Sequence, residues 1–549
     1  MESKKIDFMD GYQKTAFKKT IEDSINTIKN EIKELYLSDS LPWIIGYSGG
    51  KDSTACVQLV WDAIAELDEE QRLKKKIHVI STDTLVENPA VAMWVEVSLK
   101  KMELAAREQK MPIYPKRLVP ELQDRFWVNL IGKGYPAPRP MFRWCTSRLK
   151  INPSNNFITT IAAENGEAIL VLGTRKAESS ARKKVMENHE GSTRDLLSRN
   201  GDPKLDRVWI YPPIVDWSND DVWEYLVTYK NPWGFANKQL LDMYRGATAD
   251  NECPLVVDSS TPSCGDSRFG CFVCTLVEKD KSMQAMIQNN ADKKWMAPLS
   301  EFRNKYLDFK NNENPGQNDF AKRDFRRMDG RLTLMDDKDT GGKKLVHGPY
   351  LQSYREEMLH ALLAAQEKVR SSGASGTENY QLITEEELEE IRRIWVVEKN
   401  EIEDHVPEIY KNATGRDYPY EQVDESRIFN KNDLALLRKI ATKDNSIDDL
   451  HYQLVRNLLN VERNYSTAIK RVGIYENLEK ILISYGFEDA NEALRYAVEK
   501  NGDHLNNEKK SNDIVNPQRF IEFKTTENNS DMFSIKEESI PIGEEKNAS

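Results

Sequence analysis

Ser48-Gly49-Gly50-Lys51-Asp52-Ser53 follows the apolar run Trp43-Ile44-Ile45-Gly46-Tyr47 and leads into Thr54-Ala55-Cys56-Val57-Gln58-Leu59-Val60. That order predicts a strand, a tight turn and a helix. Adjacent glycines let the backbone approach an anion with no Cβ in the way. The start of the helix adds N–H groups without intrahelical partners and the positive end of its dipole. The result is a phosphate nest. Ser48, Lys51 and Ser53 supply side-chain donors, Gly49 and Gly50 the close backbone, and Asp52 a carboxylate beside the lysine. The pattern departs from GxxxxGK[ST], which disfavours an ordinary ATPase or kinase.

Two further segments carry polar groups at expected strand ends. Asp83-Thr84 follows the short apolar run Ile77-His78-Val79-Ile80-Ser81-Thr82, a position suited to touching a nucleotide or its Mg²⁺. Ala168-Ile169-Leu170-Val171-Leu172 ends in Gly173, with Arg175 and Arg182 seven residues apart as candidate phosphate clamps. Cysteine supplies a second chemistry. Cys253, Cys264, Cys271 and Cys274 are separated by ten, six and two residues. Such a set suits a soft metal site, and the spacing leaves Zn²⁺ and an iron–sulfur cluster both open. Cys145 stands apart, flanked by Arg143, Arg148 and Lys150. Cations near a thiol favour the reactive thiolate, so Cys145 is the candidate nucleophile or persulfide carrier. Cys56 reads as packing on the helix after the phosphate nest.

Elements must hold these groups in place. Apolar strands alternating with helical patterns predict an α/β fold with a doubly wound, mostly parallel sheet. Ahead of it, Phe17, Ile21, Ile25, Ile28, Ile32 and Leu35 recur at helical spacing. The expected organisation is an N-terminal helix in 1–40, a nucleotide-binding domain in 41–235 and a four-cysteine region in 236–300. A charged, mostly helical accessory region (301–370), a helical C-terminal domain (380–500) and a disordered tail (501–549) follow. Ser371-Ser372-Gly373-Ala374-Ser375-Gly376-Thr377 reads as a flexible connector. Thr384 with Glu387 forms a capping box opening a helix through Trp395.

Composition limits the options. With 39% hydrophobic and 30% charged residues, and no apolar run of about 18, the chain is expected to be soluble, with no membrane partner. The polar start, Met-Glu-Ser-Lys-Lys-Ile-Asp, lacks an apolar leader, and with only six cysteines the expected compartment is cytoplasmic. A net charge of −11 means that any nucleic-acid contact must be local. Arg182-Lys183-Lys184 and the set Lys322, Arg323, Arg326, Arg327 and Arg331 are the candidates.

The loop Ser48–Ser53 resembles the PP-loop of ATP pyrophosphatases. With Asp83-Thr84, the segment Gly173 to Ser179, Tyr211-Pro212-Pro213-Ile214-Val215-Asp216-Trp217 and Asp220-Asp221-Val222-Trp223-Glu224-Tyr225, it resembles the phosphoadenosine phosphosulfate (PAPS) reductase family over about residues 41–280. That likeness implies an adenine nucleotide alpha hydrolase-like fold. PAPS reductases also carry an ECGLH-type cysteine near the C-terminus, and no cysteine follows Cys274 here. The single Cys145, the four-cysteine spacing, the long C-terminal half and Lys343-Lys344-Leu345-Val346-His347-Gly348-Pro349-Tyr350 more closely resemble DndC-type sulfurtransferases of DNA phosphorothioation systems.

The DndC-type resemblance implies a [4Fe-4S] cluster on Cys253, Cys264, Cys271 and Cys274, with Zn²⁺ as the alternative. It also implies ATP with Mg²⁺ along Ser48–Ser53, where Lys51 and Asp52 join Cys145 as catalytic candidates. Pyrophosphate would leave as a DNA phosphate oxygen is adenylated, and a persulfide would then replace that oxygen by sulfur. DNA, a cysteine desulfurase and other phosphorothioation proteins are the implied partners. Sulfonucleotide reduction, tRNA thiolation and a non-catalytic scaffold are the rival expectations.

Overall fold

The computed structural model describes residues 11–178, 196–247, 269–277, 279–309, 319–337, 340–419, 431–442, 446–466 and 471–507. After helix α1 (Gly11–Ser38) comes strand β1 (Trp43–Gly46), then α2 (Lys51–Ala65) and the short α3 (Glu69–Arg72). Strand β2 (Ile77–Thr82), α4 (Pro89–Glu108) and β3 (Ile113–Leu118) complete one half of the sheet. Helix α5 (Asn152–Asn165), β4 (Ala168–Val171), β5 (Ser198–Arg199) and β6 (Val208–Tyr211) complete the other.

The sheet order is β3-β2-β1-β4-β6-β5, parallel throughout except for the edge strand β5. Trp43 and Ile45 face one core with α1 and α2; Ile44, between them, faces the other core with Ile158 and Ile161 of α5. Alternation of this kind buries both faces, as a parallel sheet requires. The expected doubly wound α/β sheet is therefore present. Strand β3 was not legible because its sequence, Ile-Tyr-Pro-Lys-Arg-Leu, is broken by Pro115. The proline is tolerated because β3 lies at a sheet edge.

Beyond the sheet, α6 (Asn219–Thr228) and α7 (Asn237–Gly246) lead toward the cysteine region. The part after residue 300 is largely helical, but β7 (Leu334–Asp336) and β8 (Lys343–Leu345) form an antiparallel hairpin within it. Ser371–Thr377, expected as a flexible connector, has no helix or strand and is mostly exposed up to Thr377. Thr377 is buried, its hydroxyl donates to the Ala374 carbonyl at 2.8 Å, and the following Tyr380 carbonyl accepts from Arg370 Nε at 2.8 Å. The capping box at Thr384 and Glu387 is present. A helix spans Ala490–Asn507, so regular structure continues past the expected start of the tail; residues 508–549 lie outside the described ones.

One hydrophobic core joins Phe126–Ile131 and Trp144 to Met358, Leu362, Ile391 and Trp395 from the C-terminal half. Indole N–H groups tie the halves together: Trp127 donates to the Leu382 carbonyl at 2.6 Å, and Trp395 to the Ile131 carbonyl at 3.0 Å. Part of the C-terminal helical layer is thus a wall behind the Cys145 segment. No helix among the described residues is long and apolar enough to cross a membrane.

Candidate functional site

The carboxyl ends of β1, β2, β4 and β6 share one edge of the sheet, and the chain leaves β1 toward β2 on one side while β4 lies on the other. Doubly wound sheets bind ligands at such a switch point. The Ser48–Ser53 turn sits there. Gly49 has φ +74°, and a Cβ on it would lie 2.4 Å from Val95 Cγ2 of α4. The serines organise the turn internally: Ser48 N–H donates to Ser53 Oγ at 3.2 Å, and Ser53 Oγ donates to the Gly50 carbonyl at 3.0 Å. Gly50 is the N-cap of α2 and brings no side chain to cap it. The first helical N–H, that of Lys51, instead points at the Tyr244 hydroxyl of α7, 3.4 Å away.

Asp52 is held from two sides. Lys51 Nζ lies 3.2 Å from one carboxylate oxygen, and Arg175 Nε donates to the other at 2.7 Å. Arg175 is only 4% exposed and also donates to the Trp217 carbonyl at 3.3 Å. It braces the first turn of α2. Gly173 permits this contact, since a Cβ there would sit 2.7 Å from the Asp52 carbonyl oxygen. Arg175→Met should destabilise the fold by about 2–4 kcal/mol, because it leaves Asp52 without its buried partner; urea unfolding measures it.

At the end of β2, Asp83 accepts the Leu85 N–H at 2.7 Å and pairs with Arg117. Thr84 is fully buried; its hydroxyl donates to Glu87 at 3.0 Å and lies 3.5 Å from Cys271 Sγ. Backbone pairing fixes this approach: Phe272 N–H donates to the Val86 carbonyl at 3.0 Å, and Glu87 bridges Cys271. The Cys271–Cys274 turn is therefore docked beside the carboxyl end of β2. Arg303, buried, donates to the Cys274 carbonyl at 2.9 Å and holds the turn from behind.

The turn's charge balance involves Lys150. Burial works against its cation, but Cys271 and Glu87, 3.3 Å away, outweigh that and raise its pKa. Cys271 is pushed up to about 12 by burial and Glu87, against the pull of Lys150. Neither Glu87 nor its pairing with Lys150 was singled out from the sequence, although Glu87 lies in the same Ser81–Pro89 stretch as Asp83 and Thr84.

Cys145 is half-buried and packs against the same core as Cys271. Burial, and then Cys274, raise its pKa, so the thiolate expected from flanking cations is not favoured by them. Arg148 turns away to Asp124 at 2.6 Å, and Lys150 to Glu87. Its loop is rigidly based: Trp144 Nε1 donates to the Pro136 carbonyl at 2.9 Å, and Ala137 N–H to the Tyr350 hydroxyl at 3.0 Å.

Two of the four expected sulfur ligands, Cys271 and Cys274, sit on one turn closed by the Cys274 N–H donating to the Cys271 carbonyl at 3.0 Å, a spacing that fits a sulfur-ligated centre. Cys253 and Cys264 lie outside the described residues, as do Arg182 and its basic neighbours Lys183 and Lys184. Among the described residues no three His, Cys, Asp or Glu side chains converge on a metal position. Mg²⁺ fits the described residues less well, because Asp52 and Asp83 both have their carboxylates engaged by arginines.

Of the expected DNA-contacting cations among the described residues, Lys322, Arg327 and Arg331 are exposed, whereas Arg323 and Arg326 are spent on structure. Arg323 is buried, pairs with Asp319 and donates to the Gly348 carbonyl at 2.8 Å. Arg326 is buried against Asp324 and Gln453, and the exposed Arg331 pairs with Asp329.

The phosphoadenosine phosphosulfate reductase domain family matches residues 42–233. No curated protein matches the chain. Among solved structures, Candida glabrata FMN adenylyltransferase in complex with FAD and inorganic pyrophosphate is similar at 12% identity and a TM-score of 0.25. That match covers 42% of this chain and 62% of that one, so this chain spans less than two thirds of its length. The U34-tRNA thiolase NcsA from Methanococcus maripaludis, with its [4Fe-4S] cluster, is similar at 14% identity and a TM-score of 0.25, covering 52% of this chain and 80% of that one. The stretch that matches the PAPS reductase domain family, residues 42–233, is the one that holds the parallel sheet and the glycine turn at its switch point.

Proposed function

We propose that this chain is an ATP-dependent sulfurtransferase that places sulfur in the DNA backbone. The observation that carries the reading is the contact of Thr84 Oγ1 with Cys271 Sγ at 3.5 Å, which brings the cysteine turn to the sheet edge holding the phosphate nest. Activation and sulfur delivery then belong to one edge of the sheet. The DNA substrate rests on the DndC-type pattern of Ser48–Ser53, Asp83-Thr84, a lone Cys145 and the four later cysteines.

Ser48, the Gly49-Gly50 backbone, Lys51 and Ser53 hold the β and γ phosphates of ATP, and Lys51 offsets charge as the α–β bond breaks. A non-bridging DNA phosphate oxygen attacks the α-phosphorus, and pyrophosphate leaves. The terminal sulfur of a persulfide on Cys145, loaded by a cysteine desulfurase, attacks the adenylated DNA phosphorus, and AMP departs with the oxygen. A second thiol then attacks the sulfur–sulfur bond; it forms a disulfide with Cys145 and releases the DNA phosphorothioate. Splitting the substitution in this way gives two easier steps. Cys271 and Cys274, with Cys253 and Cys264, would hold a cluster, which supplies a polarising, electron-accepting metal beside the thiols.

The test is mass spectrometry of digested DNA and tRNA from a host carrying the full set of neighbouring genes, with wild type compared against Cys145→Ser. Phosphorothioate dinucleotides are expected in the first and absent from the second. Thionucleosides changing in tRNA, with DNA sulfur absent even in wild type, would replace this reading by tRNA thiolation.

A further inference from the structure

Tyr244 belongs to α7, beyond the family-matched region, and reaches the phosphate nest from the side of the cysteine region. Its hydroxyl accepts the Lys51 N–H at 3.4 Å and would lie 3.3 Å from a Cβ on Gly50, so it stands over the first turn of α2. The ring is 9% exposed and fixed edge-on by Trp223 at 5.1 Å and Phe269 at 4.8 Å. Among the described residues, no hydrogen bond takes up the proton of this hydroxyl; it only accepts. A buried donor without an acceptor is costly, and its position names the missing partner.

Any phosphate oxygen that takes the Lys51 N–H must come within reach of this hydroxyl. We propose that Tyr244 is a polyphosphate-binding residue, donating its hydroxyl proton to the β or γ phosphate of bound ATP and to the pyrophosphate that leaves. This rests on the ATP reading above. The hydroxyl then changes role on binding, from acceptor of a backbone N–H to donor toward an anion. Burial pushes its pKa up to about 12, which keeps the proton in place across the working pH range.

Calorimetric titration of the full chain with ATP, pyrophosphate and adenosine, for wild type and Tyr244→Phe, tests the assignment. Phenylalanine preserves the ring contacts with Trp223 and Phe269 and removes only the hydroxyl. ATP and pyrophosphate should each bind about tenfold more weakly to the variant, while adenosine affinity stays unchanged. Equal or tighter binding of pyrophosphate to Tyr244→Phe would mean that the hydroxyl merely stands in for the phosphate, and would overturn the proposal while leaving the nucleotide site intact. Failure of the wild type to bind ATP at all would instead remove the ATP reading and this assignment with it.

Discussion

Lys51→Ala should lower pyrophosphate release from ATP by at least about 10²-fold, the usual effect of removing one preorganised group that stabilises developing charge. The Lys51 side chain is 13% exposed and its ammonium stands 3.2 Å from Asp52, beside the Tyr244 ring. In the variant, Asp52 retains Arg175 and the backbone of the glycine turn is unaltered. The fold should therefore survive, with a melting temperature close to wild type. A coupled pyrophosphate assay run beside thermal melting separates the two effects. Normal release by the variant would refute the assignment of Ser48–Ser53 as the polyphosphate site.

A single methyl group at Gly173 should do comparable damage by a different route. An ideal Cβ there would stand 2.7 Å from the Asp52 carbonyl oxygen, 2.9 Å from its carbon and 3.1 Å from Ser53 N. All three are backbone atoms of the turn that opens α2, so no rotamer change relieves the contact. Either β4 or the start of α2 must shift, which moves Lys51 and the braced Asp52 together. Gly173→Ala is expected to cost about 1–3 kcal/mol of stability, as overpacking does, and to weaken ATP binding by more than about tenfold, since a 1 Å misplacement is amplified at a preorganised site. Gly201→Ala is the control, because a Cβ there meets nothing within 4 Å. Equal ATP affinity for the two variants would show that the β4–α2 contact does not position the phosphate nest.

The strands carrying the nest were legible because Trp43–Gly46, Ile77–Thr82 and Ala168–Val171 are short apolar runs, each followed by glycine or polar residues. Strand β3, with its proline and exposed basic residues, carries no such signal. Within the site, residues adjacent in sequence were easy to group and residues meeting through the fold were not. Arg175 looked like a free clamp, yet the sheet turns it onto Asp52, 123 positions earlier. Tyr244 lies 193 positions from Lys51 on an ordinary amphipathic helix, so no local pattern marks it. Arg148 looked like an activator of Cys145 because it is three residues away. In space it serves Asp124.

The wall behind Cys145 also sets a timetable for synthesis. The hydrogen bond from Trp395 to Ile131 spans 264 residues, and that from Trp127 to Leu382 spans 255. At about 5–20 residues per second, a nascent chain needs roughly 13–50 s to extend from one partner to the other. The parallel sheet and its glycine turn are complete in sequence by Tyr211 and can be assembled during that interval. The thiol loop gains its backing only when the C-terminal helices have been made. The glycine turn should thus be in place on the ribosome before the Cys145 segment is braced, and a growing chain holds that segment without its wall until late.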